Sequence, residues 1–279
     1  MNKTKDFFNH LRKDKLGMIG FLIIVTILLI TIFAPYIAPY DPESPISGAD
    51  RLAPSAAHLF GTDETGMDIF SRVIYAGRID LTIGIVSTLF SLIIGVPLGL
   101  IVAYYEGLFG EVVMRIMDLL QAFPVFIFAM VLVAVLGNSI ENIIAAITFL
   151  NAPIYMRLVR SEALSYKTRP FIEAAKCTGK SSLFIIFSQL FVVSIRPALI
   201  QASVNVGAAI LLTAGLSFIG AGVQAPTPEW GSMIFLGSNT IMTGQWWASF
   251  FPGISIAITV FGFALFGNFL RSYLNPEMR

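Results

Sequence analysis

Charge and cysteine are what this 279-residue chain has least of. Only 13% of its residues are Asp, Glu, Lys or Arg, whereas 56% are hydrophobic and the mean hydropathy is +0.79. That excludes an ordinary soluble domain of this length, in which about a quarter of the residues are charged. The single cysteine, Cys177, excludes an internal disulfide. The two histidines, His10 and His58, stand isolated, and no His, Cys or carboxylate cluster has ligand or catalytic spacing. Neither a metal site nor a catalytic centre is therefore expected, nor a nucleic-acid partner.

What the chain has instead is long apolar runs. A helix needs about 20 apolar residues to cross a hydrocarbon core about 30 Å thick. Such runs fall near 16–38, 80–105, 112–136, 140–158, 190–219 and 247–270. The expected fold is an all-α polytopic membrane protein with six transmembrane helices. Pro97, Pro124, Pro153 and Pro197 are expected to kink or end helices, and only Gly137-Asn138-Ser139 separates the third run from the fourth. The first run follows a basic start and reaches Ala34 and Ala38, as a signal peptide would. It is longer than the roughly 7–15 residues of a signal h-region, so a retained helix is expected. The chain then divides into a basic N-terminus (1–15), a first transmembrane helix (16–38), an outer segment (39–79) and a membrane core (80–279).

Orientation follows from Lys and Arg, which stay on the cytoplasmic side. Lys3, Lys5, Arg12, Lys13, Lys15, Arg115, Arg157, Arg160, Lys167, Arg169, Lys176, Lys180, Arg271 and Arg279 fall on one side. The other side has only Arg51, Arg72 and Arg78 among Asp41, Glu43, Asp50, Asp63, Glu64, Asp68 and Asp80. Both termini are expected inside, and 160–182 is the most basic internal loop.

In the outer segment, Pro39, Pro42, Pro45 and Pro54 precede Gly61, Asp63, Gly66 and Asp68, a density that specifies turns with aspartates holding the turn amides. The carboxylate spacing does not fit a calcium loop. A helix is expected from Ile69 into the second span. Trp230, Trp246 and Trp247 mark 220–246 as a second outer, interfacial stretch.

Asp118 lies in an apolar run, where a carboxylate at the centre would cost about 2.5–3.5 kcal/mol. Arg115 and Glu111 just before it place it near the inner end of the span, as an Arg115–Asp118 pair, a helix-cap contact or a gate at the inner mouth. Gly95 and Gly99 form a small-x-x-x-small pair, and Gly207, Ala208, Ala214 and Gly215 keep the fifth span thin. Gln201 and Asn205 are available for bonds between helices. These positions serve either packing within the chain or packing against a partner membrane subunit along a pathway.

In the basic loop, Pro170 suits a first helical turn, Glu173 stands at its positive end, and Gly179 can stop it in a left-handed conformation. Phe171, Ala174, Ala175 and Thr178 are expected to share one face of this two-turn helix. A face with one aromatic anchor and small neighbours lets a partner backbone approach, and burial of Phe171 contributes about 1.5–3 kcal/mol. Ser181 or Ser182 caps the next helix. By charge alone the loop also reads as a solvated basic turn beside anionic headgroups. Gly179-Lys180-Ser181 imitates the end of a phosphate-binding loop, but Ala174 replaces its first glycine and no buried strand precedes it. No nucleotide is expected on this chain.

Glu173-Ala174-Ala175, three residues, then Gly179, before the penultimate helix, resembles the EAA loop of binding-protein-dependent ABC importer permeases. Leu59-Phe60-Gly61-Thr62-Asp63 with Gly66, Asp68, Ser71 and Arg72 resembles the outer motif of the dipeptide, oligopeptide and nickel branch. So do Met114-Arg115, Asp118, Ala122-Phe123-Pro124, Arg157-Leu158-Val159-Arg160, Leu216-Ser217-Phe218-Ile219-Gly220, Pro226-Thr227-Pro228-Glu229-Trp230-Gly231 and Phe251-Pro252-Gly253. The resemblance runs from about residue 12 to Pro276. Two departures stand out: Met67 occupies the place of an Arg, and Phe191-Val192-Val193 replaces a Leu-Pro-Asn.

The resemblance implies the type I ABC importer permease fold. Its loop helix would dock in a groove on a cytoplasmic ATPase, and ATP-driven closure of two ATPases would tilt paired permeases between inward-facing and outward-facing states. Phe171, Glu173, Ala174, Ala175 and Gly179 would carry the coupling, with ATP-Mg held by the ATPases. The implied partners are a second permease in a heterodimer, two ATPases, membrane lipid and an extracytoplasmic solute-binding protein docking on 39–79 or 220–246, in a bacterial-type plasma membrane. Di- or oligopeptides are the implied cargo, with nickel or a metal chelate next. The contrasting class is a secondary transporter or channel. It would need an ionisable network within the membrane and an inverted repeat, yet Asp118 and Arg196 fall near span ends and no repeat is visible.

Overall fold

The computed structural model describes residues 3–274, with the side chains of residues 5–274. Pro276 and Arg279, and the side chain of Lys3, lie outside that range. No named strand occurs among the described residues, and each helix satisfies its own backbone where no water can. In chain order the helices are α1 (Lys3–Lys13), α2 (Lys15–Ile32), α3 (Ala34–Ile37), α4 (Ile69–Tyr104), α5 (Leu108–Ala122), α6 (Val125–Leu136), α7 (Ile140–Lys167), α8 (Pro170–Cys177), α9 (Ser182–Phe184), α10 (Phe191–Ser194), α11 (Arg196–Phe218), α12 (Trp230–Ser238) and α13 (Trp247–Leu274). A π-helical turn, Ile185–Leu190, joins α9 to α10, and a 3₁₀ turn follows α12.

Five of these, α2, α4, α7, α11 and α13, are long and apolar enough to cross a membrane. The expected third span, 112–136, is not one helix: α5 and α6 meet at 92°. Pro124 lacks the N–H that would continue the ladder and holds Phe123 extended, at φ −79° and ψ 142°. Taken together, the bent pair makes a sixth span. Pro97 and Pro153, by contrast, end nothing and lie inside continuous helices.

The expected fifth run, 190–219, is also divided. Phe191-Val192-Val193 has an N–H at every position, so the helix continues through it as α10 and breaks only at Ile195, before Pro197.

The bundle closes through small residues. A Cβ on Gly95 would stand 2.5 Å from the Ala152 carbonyl oxygen, and one on Gly99 2.5 Å from that of Met156, so α4 and α7 touch backbone to backbone. Both glycines therefore face α7, a contact within the chain. Hydroxyls reinforce the seam: Ser91 donates to the Thr148 carbonyl at 3.2 Å and Thr148 to that of Ser87 at 3.3 Å. Between α2 and α13, Gly20 faces the Gly262 and Phe266 backbone, Gly17 makes room for the Phe269 side chain and Gly262 for that of Ile23, and Ser203 of α11 donates to the Phe263 carbonyl of α13 at 2.9 Å. The expected interhelical bond of Gln201 instead runs along its own helix, to Asn205 Oδ1 at 2.8 Å. An i,i+4 pair meets before any neighbour is reached. Asn205 is buried and faces Tyr155 of α7.

The α4–α7 seam yields a first prediction. Gly99→Leu should lower the thermal midpoint of the purified complex, corresponding to at least about 1–3 kcal/mol of overpacking. Gly253→Ala, where no atom lies closer than 3.9 Å to the added Cβ, should leave it unchanged or raised.

Candidate functional site

α4 is 36 residues long, about 54 Å, and its two ends organise the two regions that the sequence singles out. Its C-terminal end carries the seat of α8. Arg169 is extended, as a residue before proline must be, and Pro170 opens the helix at its first turn with Glu173 just behind it. The helix ends with Lys180 N–H donating to the Ala175 carbonyl at 3.1 Å, Gly179 standing at φ +73°, a left-handed position that suits glycine. Ser181 then accepts from the Phe184 N–H at 3.3 Å and starts α9, the capping role expected of it.

The two faces of α8 differ from the sequence expectation in one respect. Ile172 (0% exposed) and Ala175 (6%) turn inward, against Val96, Leu100, Ala103, Val159, Ala163, Ile185 and Ile186. Phe171 (43% exposed), Glu173, Ala174 and Cys177 turn outward. Ala175 therefore does not share the presented face. Its i−3 neighbour Ile172, the more apolar of the two, directs that side of the helix into the core.

Tyr104, at the end of α4, ties the seat together. The Lys167 ammonium at the end of α7 donates to the carbonyls of Ala103 at 3.2 Å and Tyr104 at 2.8 Å, and pairs with Glu106 at 3.1 Å. These are orphan carbonyls of a helix C-terminus, where a cation is favoured. The ammonium of Lys176 lies 5.9 Å from the centre of the Tyr104 ring, and the Tyr104 hydroxyl donates to Ser182 Oγ at 3.3 Å. Thus α4, α7, α8 and α9 converge on one tyrosine, which nothing in local sequence marks.

Asp118 is paired, but not with Arg115. Its Oδ1 accepts from Arg157 Nη2 of α7 at 2.8 Å, a bond between half-exposed side chains. Arg115 and Asp118 lie on one helix, whereas α7 brings Arg157 in from the side. An exposed pair of this kind is worth about 0–1 kcal/mol.

At the other end of α4, residues 39–68 form a strap. Asp63 Oδ1 accepts from the N–H groups of Thr65 at 2.9 Å and Met67 at 3.0 Å, and Asp63 Oδ2 approaches Arg72 Nε at 3.8 Å. Asp68 caps α4, accepting from the Ser71 N–H at 2.8 Å and hydroxyl at 2.7 Å. Asp68 Oδ1 also meets His58 Nδ1 at 2.9 Å, and both side chains are buried. His58, isolated in sequence, is thus a structural partner of Asp68. Arg72 is buried as well and donates to the Pro42 carbonyl at 2.6 Å, with the Met67 sulfur against its guanidinium. Gly61 and Gly66 both stand at positive φ, with Leu52 O and Trp247 pressed against the first. Thr62 donates to the Ala49 carbonyl, and Trp247 Nε1 donates to that of Thr62 at 3.1 Å, so the strap is fastened to α13. On its open surface the Glu43 N–H and Ser44 hydroxyl hold the Asp41 carboxyl below the usual carboxylate range.

The described residues thus form a bundle of spanning helices with a bent third span and a short helix at one end. The fold is similar to that of a chain in the inward-facing structures of the MetNI methionine ABC transporter, with a TM-score of 0.60 at 16% identity over 73% of this chain and 96% of that one. Residues 95–279 match the model of the binding-protein-dependent transport system inner membrane component, and residues 3–54 match the N-terminal TM domain of oligopeptide transport permease C. The dipeptide transport system permease protein DppC of Alkalihalophilus pseudofirmus is 41% identical, with 99% of this chain and 90% of that protein aligned. The probable D,D-dipeptide transport system permease protein DdpC of Escherichia coli is 39% identical (96% and 89%). The glutathione transport system permease protein GsiD of Pectobacterium atrosepticum is 35% identical (99% and 91%). The chain belongs to the family of binding-protein-dependent transport system inner membrane components: it is the permease subunit of an ABC importer.

The strap yields a second prediction. Asp68→Ala removes the cap of α4 and leaves buried His58 without its partner, an expected cost of about 2–4 kcal/mol. Limited proteolysis within residues 39–67 should accelerate, whereas Asp41→Ala, at an exposed turn, should leave the rate near wild type.

Proposed function

We propose that this permease moves short peptides, and that it takes its energy from ATP bound to separate ATPase subunits through the presented face of α8. One observation carries the coupling reading: α8 is seated by Ile172 and Ala175 while Phe171, Glu173 and Ala174 remain outside, a helix held from behind and offered in front. Phe171 supplies the apolar anchor, Glu173 a charge at the positive end of the helix, and Gly179 the sharp exit that keeps the presented face clear. Ala174 lets the partner approach closely. Ala175, assigned to coupling from the sequence, acts from the seat side.

Peptide cargo is supported by the dipeptide and glutathione names of relatives at 35–41% identity. Nickel or a metal chelate has no comparable support. Family membership implies other ABC importer components as partners. In detail these are two ATPases holding ATP-Mg, a second permease completing the pathway and a solute-binding protein docking on the strap side. The positive-inside distribution supports cytoplasmic termini and a cytoplasmic α8. The Arg157–Asp118 bond ties α5 to α7 near that face and supports an inner-mouth role for this pair.

The test is reconstitution with the cognate ATPases. Phe171→Ala should weaken assembly roughly 10- to 150-fold, corresponding to about 1.5–3 kcal/mol. Glu173→Ala should lower binding-protein-stimulated ATP hydrolysis. If both activities survive both changes unaltered, the coupling role is wrong. Transport by the purified chain without ATPases would favour the secondary-transporter alternative.

A further inference from the structure

Two acidic residues with no part in α8 or the strap meet inside the fold. Asp80, on α4, and Glu229, just before α12, are both completely buried. Between them they take up the first turn of α12. Asp80 Oδ2 accepts from the Trp230 N–H at 3.1 Å, and Glu229 Oε1 and Oε2 accept from those of Gly231 at 2.9 Å and Ser232 at 2.7 Å. The Asp80 carboxyl lies within side-chain hydrogen-bond reach of Glu229, yet Asp80 Oδ1 has no donor.

No cation offsets the pair. On α4, Arg78 is exposed and lies over the Tyr75 ring, with Asp41 and Glu43 along the same groove, and Arg72 is held by Asp63 and Pro42. α3 and α12 contain no charged residue, and the single charged residues of α2, α11 and α13 (Lys15, Arg196 and Arg271) lie at or near the ends of those helices remote from this pair. α7, packed along α4, has only exposed Glu141 in its first turn, and its Arg157, Arg160, Glu162 and Lys167 lie towards the α8 end. Among the described residues no ion pair reaches Asp80 or Glu229. Two ionised carboxylates side by side out of water repel each other strongly, and the partial charge of one helix N-terminus cannot balance both.

We propose that Asp80 and Glu229 form a proton-binding site, in which one proton sits on Asp80 Oδ1 and is donated to the Glu229 carboxylate, locking α12 onto α4. With that proton every oxygen of the pair has a role. Asp80 gives one hydrogen bond and accepts one; Glu229 keeps a single negative charge facing the α12 amides. The proton comes from solvent when α12 docks and returns to solvent if α12 leaves, so docking is linked to pH at this end of the molecule. A metal cation bridging the two carboxylates is the competing arrangement.

Asp80→Asn separates the two, because its amide copies the protonated acid: the NH₂ donates to Glu229 and the oxygen accepts from Trp230. In the purified wild-type complex, infrared spectroscopy should show a carboxylic-acid C=O stretch that shifts in D₂O. The band should be lost in Asp80→Asn, whose thermal midpoint matches wild type, and lost in Asp80→Ala, whose midpoint falls. The proposal is overturned if wild type minus Asp80→Asn contains no carboxylic-acid band. It is overturned equally if Asp80→Asn fails to assemble or melts as low as Asp80→Ala, the result a bridging cation predicts.

Discussion

The contact of α4 with α7 through Gly95 and Gly99 is the constraint on which the rest depends. Only hydrogen at those two positions lets the backbones meet, and the meeting fixes where each end of α4 points. At one end Val96, Leu100 and Ala103 join Val159 and Ala163 of α7 to make the floor on which Ile172 and Ala175 rest. At the other end Asp68, Ser71 and Arg72 hold the strap, and Asp80 holds α12. A single continuous helix of about 54 Å thus links the seat of α8 with the region at the opposite end.

Much of this is legible in the sequence, for reasons particular to each element. The spans are visible because lipid demands long apolar helices, and the strap because turns demand glycine and aspartate at set positions. Pro170 and Gly179 bracket α8 by their backbone restrictions alone. Proline was less decisive: Pro124 broke its span and Pro153 did not. A proline inside a bundle is tolerated where neighbouring groups accommodate the freed carbonyl, and that is a tertiary fact. The absence of proline from Phe191-Val192-Val193 likewise let α10 run on through it.

What was hidden depends on contacts distant in sequence. Local spacing offers Arg115 as a partner of Asp118, while the fold pairs it with Arg157, 39 residues away. Small-residue spacing marked Gly95 and Gly99 as a contact without naming the partner helix. Offsets of three and four place Ala175 on the face of Phe171, yet Ala175 also stands three residues from Ile172, and the more apolar isoleucine takes that side of α8 into the core. Tyr104, His58 and the buried meeting of Asp80 with Glu229 leave no sequence signal, since each gains its role from a neighbour brought by another element.

The central claim is that the outward face of α8 is an ATPase-docking surface, and Cys177 offers a probe already in place. It is the only cysteine of the chain, lies exposed in the last turn of α8, and needs no substitution to be labelled. The most direct measurement is the rate of maleimide labelling of Cys177 in the permease with and without its ATPases. The account predicts rapid labelling of the permease alone, strong protection in the assembled complex, and cross-linking from a bifunctional reagent at Cys177 to an ATPase subunit. Equal labelling rates in the two states, with no cross-link, would contradict it.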